Sequence, residues 1–100
     1  MIVEIVPAAE AELEDAVAYY NAQRPGLGNE FAVEVDAAVR KIIGYPHAWQ
    51  RVAGEARRCL LQRFEYGLVY KVRGDVATIY AVMHLKRRPG YWRKRQKSVE

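Results

Sequence analysis

The sequence predicts an α+β fold in strand-helix-helix-three-strand order. Two amphipathic helices would pack on one face of a mainly antiparallel four-stranded sheet, followed by a basic C-terminal tail. Three observations predict it. A β-branched run opens the chain. Two stretches follow in which apolar residues recur at steps of three and four. The last third then holds three short alternating runs divided by turn residues.

The first strand is Ile2 to Val6, and Pro7 ends it. Proline suits the first turn of a helix, where its missing N–H costs nothing. Glu10, Glu12, Glu14 and Asp15 follow, and the earliest of them favour the positive end of the helix. Leu13, Ala16, Val17 and Tyr20 fall on one face, with Tyr19 and Tyr20 as core and rim. Arg24-Pro25-Gly26 stops this helix. The second runs from about Leu27 to Ile43 on a stripe of Leu27, Phe31, Val35, Ala38, Val39 and Ile42. Asn29 is an N-cap candidate if that helix starts late. Gly44-Tyr45-Pro46 ends it, and residues 44–55 read as a loop in which His47 and Trp49 are packing residues.

Strands are predicted at about Arg57–Phe64, Tyr66–Arg73 and Val76–Leu85. Glu65 marks a tight first turn, and Gly74-Asp75 supplies the positive φ of a two-residue hairpin. Strict alternation puts Val76, Thr78, Tyr80, Val82 and His84 on one face of the last strand, and Ala77, Ile79, Ala81, Met83 and Leu85 on the other. Lys71 and Arg73 share a face with Gly67 and Val69, which points them to solvent if the helices cover the opposite side.

One hundred residues make a single domain, 1–100. Cys59 is the only cysteine, so no internal disulfide forms, and its apolar neighbours predict a buried thiol. The N-terminus has neither the basic start nor the apolar run of a signal peptide, and no stretch approaches a membrane span. This predicts a cytoplasmic protein with no membrane partner. No metal-ligand spacing, Gly-rich phosphate loop or serine elbow is present, so the sequence predicts no metal and no cofactor.

Charge is the sharpest functional signal. Residues 84–97 hold seven Lys or Arg and no carboxylate, while residues 1–83 carry nine basic and eleven acidic side chains. A split of this kind points to a polyanionic partner, either nucleic acid or an acidic protein segment. Lys86, Arg87, Arg88, Trp92, Arg93, Lys94 and Arg95 are the candidate target-binding residues. Metal-free RNA cleavage would need a proton acceptor, cations for the phosphate and an acid for the leaving oxygen. His84 is the best acid/base candidate, since imidazole titrates near neutral pH. Tyr91 is a candidate for stacking on a base or holding a proton, and Arg58, Arg63 and Lys71 join Arg87 and Arg88 as candidate cations. The alternative is structural: His84 capping the sheet, with Tyr91 and Trp92 as an apolar plug that docks the tail.

Several local patterns add up to a resemblance. They are Ala16-Val17-Ala18-Tyr19 closing the first helix, Tyr45-Pro46 after the second, and Arg57-Arg58 opening a strand. Phe64-Glu65-Tyr66 followed by Leu68-Val69-Tyr70, and the run from Ala81 through His84-Leu85-Lys86-Arg87-Arg88-Pro89-Gly90-Tyr91-Trp92, complete them. In order and spacing the chain resembles the RelE/ParE superfamily of toxins from type II toxin–antitoxin systems. That resemblance implies a growth-arresting toxin bound to a cognate antitoxin in a hetero-oligomer. Its target would be either translated mRNA, cut on the ribosome without a metal, or DNA gyrase, inhibited without catalysis; a third reading is an inactive family member that only binds RNA. Mutual resemblance does not choose between them, because one scaffold carries both activities. Cleavage of mRNA stands slightly ahead on the strength of His84, Tyr91 and the strand cations.

Overall fold

A computed structural model describes residues 1–96; residues 97–100, including Lys97 of the basic run, lie outside the described residues. The elements are β1 (Ile2–Ile5), α1 (Pro7–Gln23), α2 (Leu27–Gly44), β2 (Gln50–Ala53), β3 (Ala56–Leu60), β4 (Tyr66–Arg73) and β5 (Val76–His84). A 3-10 turn follows at Arg93–Gln96. The predicted order of strand, two helices and strands holds. The sheet differs from the prediction: it has five strands, in the order β1-β5-β4-β3-β2, and it is mixed. β1 lies parallel to β5, with Ile2 opposite Val76 and Ile5 opposite Ile79, while all other neighbours are antiparallel. The α1–α2 hairpin is the crossover that carries the chain from one edge of the sheet to the other.

The added strand is β2, inside the segment expected to be a loop. Its residues Gln50, Arg51 and Val52 are all exposed, so no buried face stamps a period of two on the sequence. Pairing with β3 across a turn at Gly54 (φ 55°) holds it in place. β3 also stops earlier than expected, at Leu60 rather than Phe64. Leu61 still donates to the Tyr66 carbonyl (2.9 Å), but Glu34 of α2 accepts the backbone N–H groups of Gln62 (2.9 Å) and Arg63 (3.2 Å), which takes those two residues off the ladder. Gly74 takes the predicted positive φ, 60°.

α1 and α2 approach very closely at their junction. A Cβ on Gly28 would stand 2.1 Å from the Val17 carbonyl oxygen. Asn29 is not the cap of α2. Gly26 (φ 91°) occupies that position, and the side-chain Oδ1 of Asn21 in α1 accepts the Gly28 N–H at 2.8 Å. The preceding helix thus satisfies a donor that a local side chain commonly satisfies. Gly28→Ala forces the helices apart and breaks this bond together. A loss of about 2–3 kcal/mol is expected, which thermal unfolding would register as a fall of roughly 10–20 °C.

Between the helices and the sheet lie Phe31, Ile42, Cys59, Leu68 and Tyr70, all essentially without solvent contact. Burial pushes the Cys59 thiol up, as expected for a packed rather than a reactive cysteine. Tyr70 donates its hydroxyl to the Pro46 carbonyl at 2.6 Å, and burial raises its phenol to about 12.

Two further corrections concern β5 and the far face of the sheet. Val69 of β4 pairs with Ala81, but Tyr70 pairs with Ile79, so Tyr80 is an extra residue in β5. The alternation therefore reverses there. Ile79 and Val82, predicted on opposite faces, both line the same helix-side cavity with Leu13, Val35 and Leu68. The face bearing Val69 and Lys71 is not open to solvent throughout either. The tail folds across it, burying Trp92 to 2 % exposure, and Lys71 Nζ donates to Gln96 Oε1 at 2.7 Å. Among the described residues no helix is long and apolar enough to cross a membrane.

Candidate functional site

The site grows from an unfinished strand edge. β1 pairs with β5 only as far as Ile79; the Val6 N–H then donates to the Ile79 carbonyl (3.0 Å) and the chain turns into α1. Beyond Ile79, β5 has no strand on that side. Its bulged backbone instead finds side chains: the Val82 N–H donates to Glu12 (3.1 Å), and the Tyr80 carbonyl accepts from Arg95 (2.9 Å).

Glu12 is the hub. Its Oε1 accepts from Val82 N–H and from Arg95 Nη1 at 2.8 Å. Its Oε2 accepts the Tyr91 hydroxyl at 2.6 Å and Arg95 Nη2 at 3.0 Å, with Arg87 Nη1 at 4.0 Å. Arg95 therefore grips the carboxylate with two parallel bonds, the geometry in which guanidinium binds best. Both side chains are four-fifths or more shielded from water. Arg87 also lies over the Tyr91 ring, 3.9 Å from its centroid, and Arg95 lies 5.0 Å from it. Burial first, and then the bond to Glu12, drive the Tyr91 phenol far above its ordinary value. Tyr91 stays a hydrogen-bond donor at any physiological pH.

Next to this hub a cleft of about 470 Å³ runs between α1 and the end of β5, lined by Glu12, Asp15, Tyr19, Tyr66, His84 and Arg87. His84 meets the Tyr66 ring edge-on at 5.1 Å between centroids. Its Nδ1 accepts the Lys86 N–H at 3.1 Å, which places the neutral ring's hydrogen on Nε2, facing away from the backbone. Burial, and then the neighbouring Tyr20, Tyr19 and Glu12, raise the Tyr66 phenol against a smaller opposing effect of Arg87.

The remaining candidates are spread over the molecule. None of Arg58, Arg63, Lys71 and Tyr91 lines the cleft that holds His84. Arg63 is tied to α2, with Nε 2.8 Å from Glu34 and Nη1 3.0 Å from Glu30. Arg58 lines a separate cavity on the tail side, together with Arg87 and Arg93. The tail divides by role: Tyr91, Trp92 and Arg95 face inward, whereas Lys86, Arg87, Arg88, Arg93 and Lys94 are exposed.

The Arg63 tie has a measurable pH signature. Burial alone would raise the Glu34 carboxyl, but the Arg63 and Gln62 hydrogen bonds outweigh it and hold the group below its ordinary 4.5. A lowered folded value stabilises the native state above the unfolded value, and that contribution disappears as pH falls through the folded one. The Gln62 and Arg63 amide resonances should therefore shift together below about pH 4.5, and Glu34→Gln should abolish that step.

The sequence reading missed Glu12, Asp15, Tyr19 and Tyr66 as site residues. For Glu12 a signal was present. It lies three residues after Ala9 and four before Ala16, both buried, so it shares the helix face that packs inward. For Asp15 and Tyr19, both exposed on α1, no comparable signal exists.

Comparison with known proteins decides the family. The family model described as the ParE toxin of the type II toxin-antitoxin system parDE matches residues 3–89. The chain belongs to the ParE toxin family. A solved structure titled a chromosomal ParDE TA system from P. aeruginosa is similar, with a TM-score of 0.74 at 16% identity. The match covers 84% of this chain and 95% of that one. At that identity the likeness speaks for the fold. No curated protein gives a significant match. The hub of this ParE-family toxin joins Glu12, inside the matched stretch, to Tyr91 and Arg95, which lie beyond it.

Proposed function

We propose that this toxin arrests growth by binding, as an inhibitor of DNA gyrase without catalysis of its own, acting in the cytoplasm. A cognate antitoxin would restrain it by covering the basic tail in a hetero-oligomer. The observation that carries this reading is the docked tail. Tyr91, Trp92 and Arg95 anchor it, and Lys86, Arg88, Arg93 and Lys94 project outward from the anchored segment. A pre-ordered charged surface loses little conformational entropy on binding. Three of the five residues that RNA cleavage would recruit are committed elsewhere: Arg63 to Glu30 and Glu34, Lys71 to Gln96, and Tyr91 to Glu12.

One observation favours the second reading, a ribosome-dependent mRNA endoribonuclease. His84 shares its cleft with Arg87, an acid/base group beside a cation. The test runs both assays on the same proteins. The purified toxin should inhibit gyrase supercoiling. Neutralising Lys86, Arg88 and Lys94 to Gln should weaken inhibition by about tenfold or more, and His84→Ala should change it by less than about threefold. Mapping new 5′ ends in induced cells should show no cuts in translated regions. Fresh cuts that vanish in His84→Ala, with supercoiling unaffected, would replace the gyrase reading by the nuclease one.

A further inference from the structure

A small cavity lies on the tail side of the sheet, under residues 87–93. It measures about 100 Å³, and three arginines line it: Arg58 from β3, with Arg87 and Arg93 from the tail. Met83, Leu85 and Trp92 supply apolar wall, and no carboxylate does. Among the described residues neither Arg58 nor Arg93 has a carboxylate partner within ion-pair distance. Both arginines are laid against glycines. A Cβ on Gly67 would stand 2.8 Å from Arg58 Cγ and 3.0 Å from Cδ, and one on Gly90 (φ 77°) would stand 2.8 Å from Arg93 Nε. The absent side chains leave the room in which these stems lie.

We propose that this cavity receives one carboxylate side chain, a Glu or Asp presented by an acidic segment of a protein partner. The proposal deepens the binding reading above and rests on it only in taking the partner to be a protein. Charge carries the first half of the argument: the Arg58 and Arg93 guanidinium groups, with no carboxylate partner among the described residues, complement an oxyanion and bind it in a planar fork, while Arg87 is already shared with Glu12. Size agrees, since the volume is that of roughly three waters at about 30 Å³ each, enough for a carboxylate and a short stem. The lining carries the second half. Met83, Leu85 and Trp92 suit the methylenes of Glu or Asp, whereas a phosphodiester would bring its ester and sugar-ring oxygens against the same apolar wall.

The test measures anisotropy of a fluorescein-labelled octaglutamate peptide on the purified full chain at fixed salt, with a labelled eight-nucleotide oligothymidine in a parallel arm. Arg58→Gln should weaken peptide binding by about tenfold, and Arg93→Gln by about fivefold. Arg88→Gln removes the same charge outside the cavity and should cost about twofold or less. Arg93 and Arg88 are exposed, so this pair carries the test even if Arg58→Gln fails to fold. Equal losses for Arg93→Gln and Arg88→Gln would reduce the cavity to diffuse attraction and overturn the proposal. An oligonucleotide that depends on Arg93 as strongly as the peptide does would overturn it in favour of a phosphate site. No gyrase enters the assay, so its failure and that of the gyrase reading are separate results.

Discussion

Glu12→Ala is expected to release the tail and lower stability by about 3 kcal/mol. The substitution removes one carboxylate but strands several partners: the Arg95 guanidinium, the Tyr91 hydroxyl and the Val82 N–H. Leaving a shielded charge and polar groups unpaired costs more than the net worth of the bonds themselves. Water reaches Arg95 in part, at 20 % side-chain exposure, so the figure is set at the low end for a buried pair. For a domain of this size that is a fall of roughly 12–24 °C in Tm. The tail's release has its own readout. Trp92 should move from a dry to a wet environment, seen as a red shift of emission in a Trp49→Phe background. Glu12→Gln keeps one acceptor oxygen, turns the other into a donor and removes the charge, and should fall between wild type and Ala. An unshifted Trp92 spectrum in Glu12→Ala would show that the hub does not hold the tail.

The second large effect is expected at Trp92. Its side chain is 2 % exposed on the sheet face opposite the helices, against Met83 and Leu85. Truncation to Ala should cost about 3–5 kcal/mol. Total stability for a domain of this kind is about 5–15 kcal/mol, so this single change takes a large fraction of it. Glu12 and Trp92 restrain the same segment from two sides, and once either is lost the other's contacts go with the tail. The double variant should therefore be less destabilised than the sum of the two single variants, by at least about 1 kcal/mol. Simple additivity in a denaturant titration would mean that the two anchors act independently.

How much of this was legible varies by element. α2 was plain, because Phe31, Val35, Ala38 and Ile42 all bury on one stripe. The β4–β5 hairpin was plain as well, through Gly74. β2 was not, because an exposed edge strand leaves no alternation to detect. Tyr80 was not, because a bulge depends on what flanks the strand. Here β1 stops at Ile5, and Glu12 and Arg95 take over the free backbone groups. The site shows the same division. The sequence singled out His84 and the tail cations, each by its own chemistry. It could not show that Arg63 is spent on α2, or that one acidic residue among four in α1 reaches the tail.

The parallel pairing of β1 with β5 also governs how the toxin comes into being. Residue 2 finds its strand partner at residue 76, and Glu12 finds its own at Tyr91 and Arg95. Contacts so distant in sequence make folding slow, since the loop must close before they reward it. Synthesis emits the N-terminal strand and the helical hairpin first, at roughly 5–20 residues per second. They must wait for the last strand, and the tail cannot be ordered before its own final turn has left the ribosome. Until Tyr91 and Arg95 have been made, Glu12 lacks the partners that dock the tail, so this surface is among the last parts of the described fold to form.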